Sequence, residues 1–393
     1  MWNDWDTSAT QTRYIASSML TPRPLAAHIL AYAQTLDGGG VEKTLLRLAG
    51  NWVEAGRRVT LVVGDVAGPL ARDLPDGVDV RRVGTTTMVG MGAIAALTEE
   101  LDPDILFCPG NHYTALAAWT RMRLGAHCPP IVAKISNALV RRDQSPPVAA
   151  AYRAWLRWHP RFVDRLVAMS PAMADEACRM MGAPRAMLSV IPNPPPRPPI
   201  GAASAATPPG RFLLGVGRLA PQKRWDRLID AFAGIDDRDV SLMILGEGAE
   251  RATIESRIAA YGLGDRVRLP GHVDNPTPTI ARATALALVS DFEGVPGVLR
   301  ESLAVGTPVV TTESSVAVRE IVTSPAVGSV VAPGDAAGLL AALEHWLAPG
   351  RSRPNPIPQP GQDAAAAYLA LFDDTVLERR FQRGLAPLIR PAA

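Results

Sequence analysis

Cysteine is nearly absent. Cys108, Cys128 and Cys178 are the three in 393 residues. The number is odd and none stands in a CxxC or Cys/His spacing, so neither a disulfide framework nor a zinc site is expected, and a reducing, cytoplasmic setting fits. Excess charge is lacking too: a net charge of +2 gives no bulk attraction to nucleic acid. The basic residues gather only in small groups, at positions 141–142 and from Arg153 to Arg165. No apolar run reaches ~18 residues, so no transmembrane helix is expected. Residues 1–24 are polar and carry no apolar stretch of the kind a secretion signal needs; they read as a loose tail. The spaced GxGxxG fingerprint is missing as well, which argues against a dinucleotide site.

What is present is a long alternation of strands and helices. Hydrophobic residues make up 47% of the chain, and its length favours two domains over one core. HILAYAQTL (28–36) reads as a first strand, followed by Asp37, three glycines and a segment with helical periodicity from Val41 to Val53. Strands follow at 58–64, 78–83, 103–107, 130–135, 163–169 and 188–191. Ser170 and Pro171 open a helix between the last two. The composition then changes: residues 192–210 (PNPPPRPPIGAASAATPPG) hold too much proline for a helix or an interior strand. The alternation resumes with strands at 211–216, 240–245, 267–269, 285–289, 307–310 and 328–331 and helices at 221–233, 250–261 and 335–347. The expected division is a tail (1–24), a first α/β domain (25–195), a Pro-rich linker (196–210), a second α/β domain (211–360) and a C-terminal helix within 361–393. Each half is a doubly wound, mostly parallel unit, and such sheets bind ligands at the carboxyl ends of their strands. A ligand is therefore expected in the cleft between the halves.

Several strand ends carry residues suited to an anionic, hydroxyl-rich ligand. Glu293 and Glu301 are eight residues apart in LVSDFEGVPGVLRESLAVGTPVVTT (288–312). The first lies in a turn. The second lies about one turn into a helix that Pro296 or Gly297 opens. Free N–H groups at that N-terminus favour an anion. Arg218 leaves the strand end Gly215-Val216-Gly217, and Lys223 stands near the next helix. Two cations at one helix start oppose its dipole unless an anion lies between them; the alternative is a pair of solvated charges. Gly38, Gly39 and Gly40 allow close approach to a ligand, although a tight turn explains them nearly as well. Backbone groups at 271–275, around Val273, could bind a base edge or form a plain surface turn. His112 sits in a strand-end loop beside Asn111, where a structural role and a functional one both remain open.

In order and spacing, GVGRLAPQKRWDRLIDAF (215–232), LGEGAER (245–251), DRVRLPGHVDNPTP (265–278) and FEGVPGVLRESLAVGTPVV (292–310) resemble the retaining glycosyltransferases of family 4. Those enzymes have the GT-B fold, two Rossmann-like domains facing a deep cleft. In the first half, only the glycine turn with its helix and VAMSPAMADEA…VIPNP match well.

The resemblance implies a hexosyl transfer from a UDP- or GDP-linked sugar to a glycan or lipid-linked saccharide. It implies that Arg218 and Lys223, together with Gly217, hold the diphosphate. Glu301 would bind the nucleotide ribose and Glu293 the transferred sugar. Backbone N–H groups at Val298 and Leu299 would add to the phosphate site, with Gly39 and Gly40 across the cleft. The family uses no cofactor and no divalent metal, and no DxD-type metal pair is present here. Two departures stand out. Where many relatives carry a His after the fifth strand, this chain reads KISNAL, with Ser136 and Asn137, which leaves His112 as the candidate imidazole. The segment after GTPVV also lacks the extra glycine or proline turn of several relatives. Alternatives on the same fold are a nucleotide-sugar epimerase and a non-catalytic nucleotide-sugar-binding subunit. The segment with Trp155, Trp158 and Arg153 to Arg165 admits a peripheral contact with the inner membrane face or a solvated helix.

Overall fold

In a computed structural model the alternating segments assemble into two separate parallel sheets. The structure describes residues 24–37, 39–141, 143–196 and 198–384. The tail to residue 23, Gly38, Arg142 and the end of the C-terminal segment lie outside them.

The first sheet contains β1 (His28–Ala33), β2 (Arg58–Val63), β3 (Asp79–Arg82), β4 (Ile105–Cys108), β5 (Ile131–Lys134), β6 (Arg165–Ala168) and β7 (Leu188–Val190). Their order is β3-β2-β1-β4-β5-β6-β7. The second contains β8 (Phe212–Val216), β9 (Ser241–Leu245), β10 (Val267–Gly271), β11 (Ala285–Leu288), β12 (Val309–Thr312) and β13 (Gly328–Val331), ordered β10-β9-β8-β11-β12-β13. Strand order reverses between β1 and β4, and again between β8 and β11. Those two switch points are where a doubly wound sheet leaves a crevice.

The central strands are apolar throughout because both faces are covered. Along β1, Leu30 and Tyr32 enter one core and Ile29, Ala31 and Ala33 enter the other. Along β8, Phe212 and Leu214 face one side and Leu213 the other. The pleat, with its period of two, thus feeds two cores from one strand.

The helix Ala364–Gln382 follows the second sheet in sequence but packs on the first. Its Phe372 stands edge-on to Trp52 with ring centroids 5.2 Å apart, and Tyr368 meets Phe107 at 5.4 Å. Asp373 pairs with Arg57 at 2.8 Å and accepts the Ala26 amide at 2.8 Å. Phe372→Ala is expected to destabilise the first half by about 3–5 kcal/mol, because the emptied space cannot collapse among rings. Urea unfolding followed by tryptophan fluorescence would show it.

Several expected boundaries differ: the first strand ends at Ala33 rather than at 36, and the strands read from 103 and 163 begin at Ile105 and Arg165. The helix read over 221–233 is broken: a 3-10 turn (Pro221–Lys223) ends at Arg224, whose φ is 53°, and the helix proper is Trp225–Ala233. Left-handed backbone is costly for a side-chain residue. Here the Arg224 guanidinium offsets it, held by Asp226 at 2.9 Å and Asp291 at 3.2 Å. The strand read over 307–310 begins two residues later, at Val309, since Thr307 N–H donates to Ser302 O at 2.9 Å and Pro308 has no N–H for the ladder.

Candidate active site

The turn between β11 and the helix Gly297–Ala304 carries Glu293, and its backbone is held from Phe292 to Gly294. Phe292 O accepts from the Gln222 side-chain amide at 2.6 Å. Glu293 N–H donates to Ser314 O at 2.9 Å, and Glu293 O accepts from the Ala138 amide at 3.0 Å. Gly294 O accepts from Ser315 Oγ at 2.6 Å. Ala138 belongs to the first half, so one of these bonds crosses the cleft. The Glu293 carboxylate pairs with Lys223 Nζ at 2.6 Å, and the two side chains are 12% and 16% exposed. Lys223 stands two residues before the helix Trp225–Ala233, as its sequence position suggests, but its amine is spent on Glu293. The break at Arg224 turns it toward the Glu293 loop.

Arg218 is exposed, and among the described residues its guanidinium has no hydrogen-bond or ion-pair partner; its carbonyl accepts from Trp225 Nε1 at 2.9 Å. Its charge reaches His112 across the cleft. His112 has its pKa lowered by burial first, while Glu42 raises it and Arg218 lowers it. The His112 ring rests on Tyr113 with centroids 3.8 Å apart. Tyr113 Oη donates to Glu42 at 3.0 Å and accepts from the Gln34 amide at 2.9 Å. These groups sit at the β1/β4 switch point, directly after the strand ends. Gly39 is the N-cap position and Gly40 the first residue of the helix Gly40–Glu54, with Lys43 N–H donating to Gly39 O at 3.0 Å.

Glu301 is half-buried in the helix Gly297–Ala304. Burial raises its pKa, and the cations Lys43, Arg47 and Arg300 hold it back. Lys43 and Arg47 belong to the helix Gly40–Glu54, so the walls of the cleft meet here. Of the two amides expected at this helix start, Leu299 N–H already donates to Pro296 O at 3.2 Å. Val298 is thus left as the outward donor, because the first turn of the helix closes on Pro296 O at Leu299. Gly217 and Gly246 are packed so closely that a Cβ on Gly246 would fall 1.9 Å from Gly217 O. Val273 is half-buried against the second core, and the neighbouring Asp274 is paired with Arg72 of the first half. The structure therefore brings Arg218, Lys223, Glu293, Glu301, His112 and the glycines to one cleft, with Val273 at its edge.

Sequence reasoning missed the residues that hold this arrangement. Glu42, Tyr113, Gln222 and Ser315 act over long separations and bear no local signature. Arg300 donates to Asn193 O at 3.1 Å and Gln359 Oε1 at 3.3 Å, tying the Glu301 helix to both chain crossings between the halves. Lys134, at the end of β5, donates to Asn193 Oδ1 at 2.5 Å; burial and then Arg300 push its pKa down to about 7. Among the described residues no cluster of three His, Cys, Asp or Glu could hold a metal. No described helix is long and apolar enough to cross a membrane.

With this geometry in hand, comparison with known proteins is direct. Residues 201–359 match the model of glycosyl transferases group 1, and residues 39–194 match that of the glycosyl transferase 4-like domain. The chain belongs to the group 1 glycosyltransferases and has the GT-B fold. It is 38% identical over 111 residues to the N-acetylgalactosamine-N,N'-diacetylbacillosaminyl-diphospho-undecaprenol 4-alpha-N-acetylgalactosaminyltransferase of Campylobacter jejuni, covering 28% of this chain and 30% of that one. It is 28% identical over 198 residues to the 2-deoxystreptamine glucosyltransferase of Streptomyces kanamyceticus, covering 47% and 50%. The chain thus spans at most half the length of these two relatives. The fold is shared with Anabaena Alr3699/HepE in complex with UDP-glucose, at a TM-score of 0.67 and 18% identity, over 90% of this chain and 99% of that one.

Proposed function

We propose that this protein transfers a hexosyl unit, with retention, from a nucleotide-sugar to a glycan or lipid-linked saccharide. The observation that carries the reading is the Lys223–Glu293 pair at 2.6 Å, set in a cleft where the Arg218 guanidinium has no described partner and faces His112. A donor diphosphate entering there is met by Arg218 as a fork and by Lys223 as a point charge. It draws Lys223 from Glu293 and frees that carboxylate for the sugar hydroxyls. As the bond from the anomeric carbon to phosphate breaks, its electron pair goes to the diphosphate, where the two cations stabilise the growing charge. The acceptor hydroxyl adds on the same face and gives its proton to the departing phosphate. No enzyme nucleophile, cofactor or metal is needed for this route.

Glu301 takes the ribose hydroxyls, with Val298 N–H and the Gly39–Gly40 backbone on the phosphates. Glu301→Gln is expected to raise the donor KM by about 10–100-fold with a smaller change in kcat, since it removes a charged acceptor made in both ground and transition states. Initial rates over a donor series would check it.

The relative acting on a diphospho-undecaprenol substrate supports a lipid-linked acceptor. The helix Pro146–Trp158 and the turn after it leave Arg153, Arg157, Trp158 and Arg161 exposed, which suits a peripheral contact with an anionic bilayer; Arg165 is instead paired with Glu378. The deciding experiment is incubation with a panel of UDP- and GDP-sugars and saccharide acceptors. Free nucleotide together with an extended acceptor supports transfer. An isomerised donor would show an epimerase, and binding without turnover a non-catalytic subunit.

A further inference from the structure

The position that holds a histidine in many relatives is occupied here by Ser136 and Asn137, and the structure shows where their polar groups go. Ser136 Oγ accepts the Asn111 amide at 3.2 Å. Asn137 Oδ1 accepts the Ala138 amide at 2.9 Å. Ser136 Oγ is thus used by the loop after β4, and Asn137 Oδ1 inside its own loop. The Asn111 side chain closes the loop from the other side: its Oδ1 accepts Ser136 N–H at 2.7 Å and its Nδ2 donates to Asn137 O at 3.2 Å. Gly110 completes the fit, because a Cβ there would lie 2.6 Å from Ser136 Oγ. The loop after β5 is thereby fixed against the loop after β4 by three hydrogen bonds. Its outer edge is what touches the second half. Ala138 N–H donates to Glu293 O at 3.0 Å, and Ser136 O lies against Gly294 so closely that a Cβ on that glycine would sit 2.3 Å away.

We propose that Asn111 is a positioning residue for the transfer: it shapes the 136–138 backbone, which in turn sets Glu293 from across the cleft. The inference rests on the sugar-binding role given to Glu293 above. It assigns the loop after β5 a task done by backbone groups, and leaves His112 as the cleft-facing imidazole. A side-chain amide suits the task because one planar group must accept from one peptide and donate to the next.

The test compares Asn111→Ala with Asn111→Asp, which keeps the acceptor for Ser136 N–H and loses the donor to Asn137 O. Asn111→Ala is expected to lower kcat by about 10–100-fold, the scale of a small misplacement of a reacting group, with Asn111→Asp between it and the parent. Titration with UDP and GDP alone should be unchanged, because Arg218, Val298 and Glu301 are untouched. Hydrogen exchange should speed up in peptides covering 135–139 and 291–295 together. Thr120→Ala, which removes a buried hydrogen bond to Leu116 O of the same half, controls for simple destabilisation. Full kcat in Asn111→Ala, or a loss matched by Thr120→Ala at equal Tm, overturns the proposal. So does faster exchange confined to 135–139. If no nucleotide-sugar is turned over by the parent protein, the functional reading fails, while the exchange measurement still decides whether Asn111 sets the Glu293 turn.

Discussion

Lys223→Ala is expected to lower the proposed transfer rate on the order of 10²–10³-fold, the loss expected when one preformed charge donor leaves a transition-state site. Arg218→Ala is expected to act on the same scale. The two differ in what they do to the folded protein. The Arg218 guanidinium is exposed and without a described partner, so its removal should change stability by no more than about 0.5 kcal/mol. Lys223 is 16% exposed and compensates Glu293, which is 12% exposed. Removing the amine leaves a largely buried carboxylate unpaired, at about 1–3 kcal/mol. Lys223→Ala combined with Glu293→Gln should therefore recover much of the lost Tm while remaining inactive. Thermal unfolding and initial rates on the three variants separate the two effects. A Lys223→Ala enzyme with full turnover would remove the diphosphate from this position.

Gly294→Ala is the second large effect. A Cβ there would lie 2.3 Å from Ser136 O and 2.9 Å from Met169 Cε, and the first of these is backbone. Backbone cannot swing aside as a side-chain tip can, so the turn must shift or the two halves must part locally. Either movement breaks the bond from the Ala138 amide to Glu293 O. We expect a fall in kcat of about 10²-fold and a destabilisation of about 1–3 kcal/mol from overpacking. Gly264→Ala is the control, because nothing lies within 4 Å of its added Cβ. If Gly294→Ala behaves like Gly264→Ala, the halves do not meet at this turn in solution.

These two results depend on features of different legibility. The parallel sheets were readable, because apolar strands bounded by glycine and proline alternate with helical periodicity through both halves. Ser170 was readable as the start of its helix, and its side chain accepts the expected amide, from Met173. The cleft residues were readable one by one because they stand at strand ends. Their pairing was not. The left-handed Arg224 that breaks the helix after Lys223 depends on Asp291, 67 residues away. Asn111 and Gln222 look like ordinary loop amides until their partners at 136–137 and 291–292 are in place.

Local pattern, then, was enough to give the two α/β halves and the strand, turn and helix that carry Glu293 and Glu301, since each depends on neighbours within a few residues. The tertiary structure alone decided that Lys223 meets Glu293, that Lys43 and Arg47 face Glu301, and that Ala138 holds the Glu293 turn. Those relations join chain segments 70 to 258 residues apart. Periodicity and spacing carry no information over such separations; only the packing of one half against the other does.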